Sequence, residues 1–565
     1  MGAVVISLLI GACVPYVALR QGLTPNNALI GAIMGSILMS LLARKTSGRN
    51  RLQINFIQAA ASSAGATAFM CTILAAFDLL DLDRTVNIHV QPRGTVVFLW
   101  LTLGGLIGTL VAVIRHRRFM NDPSLKFVDG IVAAEAIVMR DSDTPETRQK
   151  RSAVKIAALM SGVLVFARDG IKGLLPELPP LYGPLKIALP WSPMGFGTGL
   201  LLPVRMGVWI LVGVVCVRIG GPQVVDYVTS VTHATTSPWA KYFGWIMWPA
   251  TTLMVMSEFT NILLILGERF FPKKTSADEA VARLEFTPVN VDILSLRAAL
   301  TLIAVLTSLL ALVLFIGFGV PAYLSCLGVL ASFPLVEFGV SILGQTNLGP
   351  VSVMTNALQI VFRFFFSSNV LFNLFAAGSA GVMNAQAEDG AQVFRTAQIL
   401  KANPRMTLYG QWIGCLTGSL AVTLVYPILT AKFRIGVELT APTATKFATM
   451  AVFLNRGFDA LPPGALQACA VAAVAAVVLA IIGRRWSRWF VPQGSSFALA
   501  LLLPAVVTIP IALGALVGAL WKRARPAHHE RWSGTVACGL IIGEALIAGL
   551  LLPLLFFLGI LRQPQ

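Results

Sequence analysis

Apolar runs of about 17–25 residues recur along almost the whole chain, near 3–19, 26–43, 54–77, 94–114, 153–168, 195–217, 243–266, 295–317, 319–343, 350–366, 369–384, 406–429, 465–483, 496–520 and 533–560. A helix rises 1.5 Å per residue and the hydrocarbon core of a bilayer is about 30 Å thick, so most of these runs have the length a spanning helix needs. Composition points the same way. With 56% hydrophobic and only 12% charged residues, the 565-residue chain cannot coat a soluble globule with polar surface. The expected fold is all-α, a polytopic membrane protein of about 16 transmembrane or re-entrant segments. The first run has no basic flank and no small-residue cleavage site, and it reads as a spanning helix rather than a removed signal peptide. The segment 128–139 is too short to span comfortably and carries Asp129 and Glu135, so it reads as a short helix or a re-entrant segment.

The net charge of +18 falls in short loops between apolar runs, not in a separate basic domain, which argues for orientation in the membrane and against nucleic-acid binding. Arg44, Lys45, Arg49 and Arg51 follow the second run, and Arg115, Arg117 and Arg118 the fourth, with Asp78, Asp81 and Asp83 between them. That bias predicts a cytoplasmic N-terminus in a plasma (inner) membrane protein, with the polar loop 268–297 and its Lys273 and Lys274 also cytoplasmic. Basic clusters at Arg140, Arg148, Lys150 and Arg151, and on both sides of run 496–520, fit broken helices better than simple spans. The seven cysteines are dispersed in or beside apolar runs with no C-x-x-C pair, and they read as small apolar fillers. His89, His116 and His233 have loop-like surroundings, and His528 and His529 sit in a basic loop with no third metal ligand nearby.

The chain also repeats itself about the loop 268–297. Leu200-Leu201-Leu202-Pro203 followed by Gly213 matches Leu501-Leu502-Leu503-Pro504 followed by Gly514, and small-residue clusters recur at 59–65 and 376–381. Acidic, alanine-rich segments recur at 130–140 and 385–395. The expected division is a membrane repeat at 1–267, a connecting loop at 268–297 and a second membrane repeat at 298–565.

Within this apolar background, polar residues concentrate between Gly344 and Gly418. Gln345, Asn347, Thr355, Asn356, Asn373 and Gln386 are candidates for binding a solute, together with Asn55 and Gln58, whose amides share one helix face at i and i+3. Gly349-Pro350 interrupts helical hydrogen bonding beside Gln345 and Asn347, freeing backbone groups as well. Amides donate and accept, which suits a ligand built of peptide-like groups. A carboxyl group in low dielectric can hold a proton near neutral pH, which makes Glu135, Glu388 and Asp389 the candidates for proton coupling, with Glu337 and Glu544 as further acids. Glu135 and Glu388 occupy the matching segments of the two halves. The competing reading is that these acids pair with nearby arginines and only fix structure.

Several stretches resemble the oligopeptide transporter (OPT) superfamily, which includes yellow-stripe-like metal-chelate carriers. They are GQTNLGPVS (344–352), NLFAAGSAG (373–381), the acidic stretch 385–420 and GLIIGEALIAGLL (539–551). INFIQAAASSAGAT (54–67) is similar to the family's acid-asparagine element, with Gln53 and Ile54 in place of the leading acid and first asparagine, and KFVDGIVAAEAI (126–137) to a second element. The resemblance implies a proton-coupled secondary transporter that imports small peptides or siderophore-type metal chelates, with no cofactor beyond the coupling ion; the lipid bilayer is its surrounding partner, and a homo-oligomer is compatible with the sequence. Two other classes compete. A membrane enzyme acting on lipid phosphates needs a catalytic cluster, and the chain has no H-E-x-x-H and no phosphate-cradling glycine loop with lysine. A passive channel is disfavoured by the repeated broken helices, which suit alternating access.

Overall fold

Local chemistry sets where many helices begin and end. Ser192, Ser295 and Asn403 each turn a side-chain oxygen onto a backbone amide of the first turn, at Gly195 (3.3 Å), Ala298 (3.3 Å) and Arg405 (2.9 Å). Pro193 and Pro404 occupy the position where a missing amide hydrogen costs nothing. The computed structural model describes residues 1–21, 26–42, 48–82, 93–141, 145–170, 183–185, 187, 191–232, 237–270, 292–347, 349–365, 370–435, 439, 441–456, 462–485 and 494–557. The helices are α1 (Gly2–Gln21), α2 (Asn27–Leu42), α3 (Gly48–Phe69), α4 (Cys71–Leu82), α5 (Gly94–Asn121), α6 (Val128–Asp141), α7 (Pro145–Asp169), α8 (Pro193–Leu201), α9 (Val204–Thr232) and α10 (Pro238–Phe270). They continue with α11 (Leu296–Phe318), α12 (Ala322–Thr346), α13 (Val351–Phe365), α14 (Val370–Ile399), α15 (Pro404–Lys432), α16 (Pro442–Arg456), α17 (Ala465–Arg485), α18 (Gly494–Leu502), α19 (Ala505–Ala524), α20 (Pro526–Leu546) and α21 (Leu552–Phe557).

The architecture is all-α, and among the described residues nine stretches are long and apolar enough to cross a membrane. At 30 residues α14 has the length as well, but its amides and acids lower its hydropathy. With 14 residues, about 21 Å, α6 is too short to cross, as its sequence suggested. The acidic segment 385–395 is different. It is not a separate short element like 130–140 but the middle of the continuous helix α14, because Ala, Gln, Ala and Glu at 385–388 carry helical propensity into it. Helix α16, which the apolar pattern did not predict, is short and rich in threonine. His116, expected in a loop, is buried in the last turns of α5 with its ring 4.9 Å from that of Phe394. His89 and His233 lie outside the described residues, as do Arg44, Lys45, Asp83, Lys273, Lys274 and most of the connecting loop.

Small residues bring the helices into close contact. Gly410, Gly414 and Gly418 on α15 face Ala59, Ser63 and Ala64 on α3, where a β-carbon at 410 would lie 3.0 Å from that of Ala59 and one at 418 would lie 2.8 Å from the Ala64 Cα. Gly31 and Gly35 fit α2 onto α3 in the same way, and Gly539 and Gly543 fit α20 onto α7. Two helices are broken at matching Leu-Pro steps, between α8 and α9 and between α18 and α19. They also contact each other reciprocally. Gly514 meets the Phe196 carbonyl and Gly199, while Gly213 meets the Phe497 carbonyl (3.2 Å from a β-carbon) and Ala500.

Candidate functional site

Helix α14 is the polar spine of the bundle. Asn373, Asn384, Gln386, Glu388, Gln392, Arg395 and Thr396 are all buried along it, and the candidate residues distribute around it in four groups.

Near its first turn, Asn373 Nδ2 donates to the Gln359 carbonyl on α13 at 2.7 Å. Asn373 Oδ1, Asn356 Oδ1 and both side-chain atoms of Gln359 are buried without a hydrogen-bond partner among the described residues. Thr355, one residue before Asn356, bonds the Val351 carbonyl at 2.8 Å and faces Gly381. Further along, Gln386 is fully satisfied: its Nε2 donates to the Ser63 carbonyl (2.7 Å) and Thr67 Oγ1 (2.6 Å), and its Oε1 accepts from Ser63 Oγ (2.9 Å). That makes it a fastener between α14 and α3.

The acids come next. Asn384 Nδ2 donates to Glu388 Oε1 at 2.6 Å, and Ser62 Oγ donates to Asp389 Oδ1 at 2.5 Å. Glu388 lies against the break between α12 and α13. A β-carbon at Gly349 would overlap its Oε2, and one at Gly339 would stand 2.7 Å from Oε1, so glycine at both positions makes room for the carboxylate. No ion pair reaches Glu388 or Asp389 among the described residues; neutral donors hold both.

At the last group, Asn347 ends α12 in the left-handed conformation (φ 58°) that asparagine tolerates. Its Nδ2 donates to Asp129 Oδ1 at 2.8 Å, while its Oδ1 accepts from the Asp129 amide (3.2 Å) and Gln392 Nε2 (3.1 Å). Gln392 Oε1 in turn accepts from the Gly130 amide at 2.9 Å. The first turn of α6 is thereby tied to the broken helix and to α14 together. Arg395 adds a hydrogen bond to the Leu125 carbonyl at 2.6 Å.

Asn55 and Gln58 lie on α3 beside α15, with Asn55 Nδ2 donating to Thr407 Oγ1 at 3.0 Å. Gln345 is half-buried in the last turn of α12. Glu135 stands apart from Glu388: it is half-buried on α6 under α20, where a β-carbon at Gly534 would lie 3.1 Å from its Oε1, and it feels the charge of Lys150. Glu337 and Glu544 meet arginines. Glu337 accepts from Arg115 Nε at 2.6 Å and pairs with Arg118. Glu544 pairs with Arg168 at 3.2 Å and accepts from the Met194 amide at 2.7 Å, capping α8.

Sequence reasoning did not pick out Gln359, Gln392, Gln411, Ser62 or Asp129 as site residues. A glutamine inside an apolar run was the available signal for two of them, Gln359 and Gln411. Asp129 was visible as an acid but its partner 218 positions away was not.

The helices and their buried polar spine define a polytopic membrane protein with hydrophilic stations in its interior. Residues 1–556 match the family model described as OPT oligopeptide transporter protein, and the chain belongs to that family. Similar proteins include the "Probable metal-nicotianamine transporter YSL6" of Oryza sativa subsp. japonica, 27% identical over 186 residues (32% of this chain, 27% of the relative). The "Metal-nicotianamine transporter YSL1" of Arabidopsis thaliana is 30% identical over 162 residues (27% of this chain, 24% of the relative). The "Probable metal-nicotianamine transporter YSL16" of Oryza sativa subsp. japonica is 31% identical over 160 residues (27% and 24%). In each case the alignment spans only about a quarter of the relative's length.

Proposed function

We propose that the protein is a secondary transporter that moves a peptide-like metal chelate into the cell, drawing on the proton gradient. The observation that carries this reading is the group of Asn356 Oδ1, Asn373 Oδ1 and both side-chain polar atoms of Gln359, which are buried without a hydrogen-bond partner among the described residues. A buried polar atom without a partner costs roughly 1–3 kcal/mol, so such a group is held for a ligand that both donates and accepts. Gln345 and Asn347 flank the break in the same path and are assigned to solute contact as the bundle opens there. The names of the relatives favour a metal-nicotianamine chelate over a free peptide as cargo. Glu388 and Asp389 are assigned the coupling proton, because each is held by neutral donors and can change charge without abandoning a cation.

The two halves, 1–267 and 298–565, are proposed as duplicated units, supported by the reciprocal packing of their broken helices. An N-terminus on the cytoplasmic side of the plasma (inner) membrane completes the reading. The test is uptake by tight proteoliposomes offered tripeptides, ferric chelates and metal-nicotianamine, with and without an inward-acid gradient. Gradient-stimulated accumulation of the chelate is expected. Equal uptake of all solutes without a gradient would replace the carrier with a channel.

A further inference from the structure

Helices α3, α14 and α15 meet at a polar junction that holds Asn55, Gln58, Asp389 and Gln411. Gln58 and Gln411 are both fully buried there, and neither side-chain atom of either amide has a hydrogen-bond partner among the described residues. Asn55 Oδ1 and Asp389 Oδ2 are in the same condition, which brings the number of unpaired polar atoms on these four side chains to six.

Their placement is fixed by the contacts around them. Asn55 bonds Thr407 one turn before Gln411; Ser63 Oγ donates to the Gln411 carbonyl at 2.8 Å; and Ser62, one turn after Gln58, donates to Asp389. A β-carbon at Gly390, next to Asp389, would lie 3.4 Å from Gln411 Nε2. Each amide leaves both an acceptor and a donor open, so exchanging its oxygen and nitrogen alters nothing. A bare cation would satisfy the oxygens and leave two NH2 groups facing it. Water satisfies both kinds of atom and is small enough for a junction held tight by Gly410 and Gly414.

We propose that this junction is a hydrated chamber through which a proton reaches Asp389, with Gln58 and Gln411 as the residues that position its water. The inference rests on the proton-coupled reading above. The step is a transfer from hydronium to the Asp389 carboxylate, leaving a neutral carboxyl group and a water molecule. Among the described residues, few titratable groups face this part of α14. Asp129 from α6 is held by Asn347, Cys415 from α15 lies 3.4 Å from Ser63 Oγ, and His116 from α5 packs on Phe394. Glu388 and Arg395 lie on α14 itself, and Glu337 from α12 is bound to Arg115 and Arg118.

The test is infrared spectroscopy of the whole protein in lipid nanodiscs, following the C=O stretch of a protonated carboxyl group through an acid step and its exchange in heavy water. A band absent from D389N and exchanging at least tenfold more slowly in the Q58L/Q411L double variant is the expected result, with Q411N restoring part of the rate in the Q58L background. The single variants Q58L and Q411L give intermediate rates and keep the question open to experiment should the double variant fail to fold. Loss of the band in none of the variants, or unchanged exchange in all of them, overturns the chamber. The readout needs no solute, so a protein that accumulates nothing but shows this behaviour refutes the transport reading alone.

Discussion

Two sets of buried acids in this protein solve the same problem in opposite ways. Glu337 and Glu544 are met by arginines, two for the first and one for the second. Glu388 and Asp389 are met by the amide of Asn384 and the hydroxyl of Ser62. An arginine fixes the charge of its carboxylate, since removing either partner strands the other in low dielectric. An amide or hydroxyl donor serves the ionised acid, and the loss of that charge leaves no cation behind. The first pair therefore reads as structure and the second as a place where charge can come and go. Burial alone does not separate them, because Glu337, Glu388 and Glu544 are comparably hidden.

The largest effect that would test this contrast comes from breaking an arginine pair. Arg168→Ala leaves Glu544 buried with only the Met194 amide and Ser192 as donors among the described residues, at a cost of roughly 3–5 kcal/mol. A clear fall in melting temperature in detergent is expected, and Glu544→Gln in the same background should recover most of it. A melting curve unmoved by Arg168→Ala would erase the distinction from the structural side.

Next in size is Asp389→Asn. No ion pair is lost, so stability should stay within about 1 kcal/mol of the parent. Gradient-driven accumulation should drop tenfold or more while solute exchange across the membrane persists. Loss of exchange as well would move Asp389 from proton handling to solute binding. Glu388 is probed through its glycine cradle. Gly349→Ala pushes on Oε2 and should lower transport several-fold, and the shorter acid in Gly349→Ala/Glu388→Asp should restore part of it. Additive losses in that double variant would show that the cradle and the acid act separately.

Much of this was legible in the sequence because membrane helices announce themselves by length and hydropathy, and the break after Gln345 by Gly349-Pro350. The arginine partners were not. Arg168 and Glu544 are 376 positions apart, and nothing local marks one as the other's counter-ion. The acidic segment of α14 misled for a physical reason: its charge density matches that of α6, yet helix propensity and the packing of α3 and α5 carry it on as one continuous helix. Gln411 falls within the stretch 385–420, but its surroundings depend on Ser63 and Gly390, which the chain brings to it from two other helices. Glu135 was matched to Glu388 by position in the repeat, and the fold instead sets it under α20, so Glu135→Gln should change the pH profile of uptake less than Glu388→Gln.

The last effect concerns the left-handed turn at the end of α12. Asn347 serves two purposes there, a left-handed φ of 58° at the end of α12 and hydrogen bonds to Asp129 and Gln392. Asn347→Gly keeps the backbone at ease and deletes the hydrogen bonds, costing roughly 1–3 kcal/mol. Asn347→Ala deletes them and adds the left-handed penalty of about 1 kcal/mol more. Thermal melts of the two variants should therefore fall in that order, with the difference between them measuring the left-handed strain less the greater entropy that glycine gives the unfolded chain. A higher melt for Asn347→Ala than for Asn347→Gly would mean that α12 re-forms its end without the left-handed turn. In that case the tie between α6, the break and α14 would depend on Gln392 and the Gly130 amide rather than on Asn347.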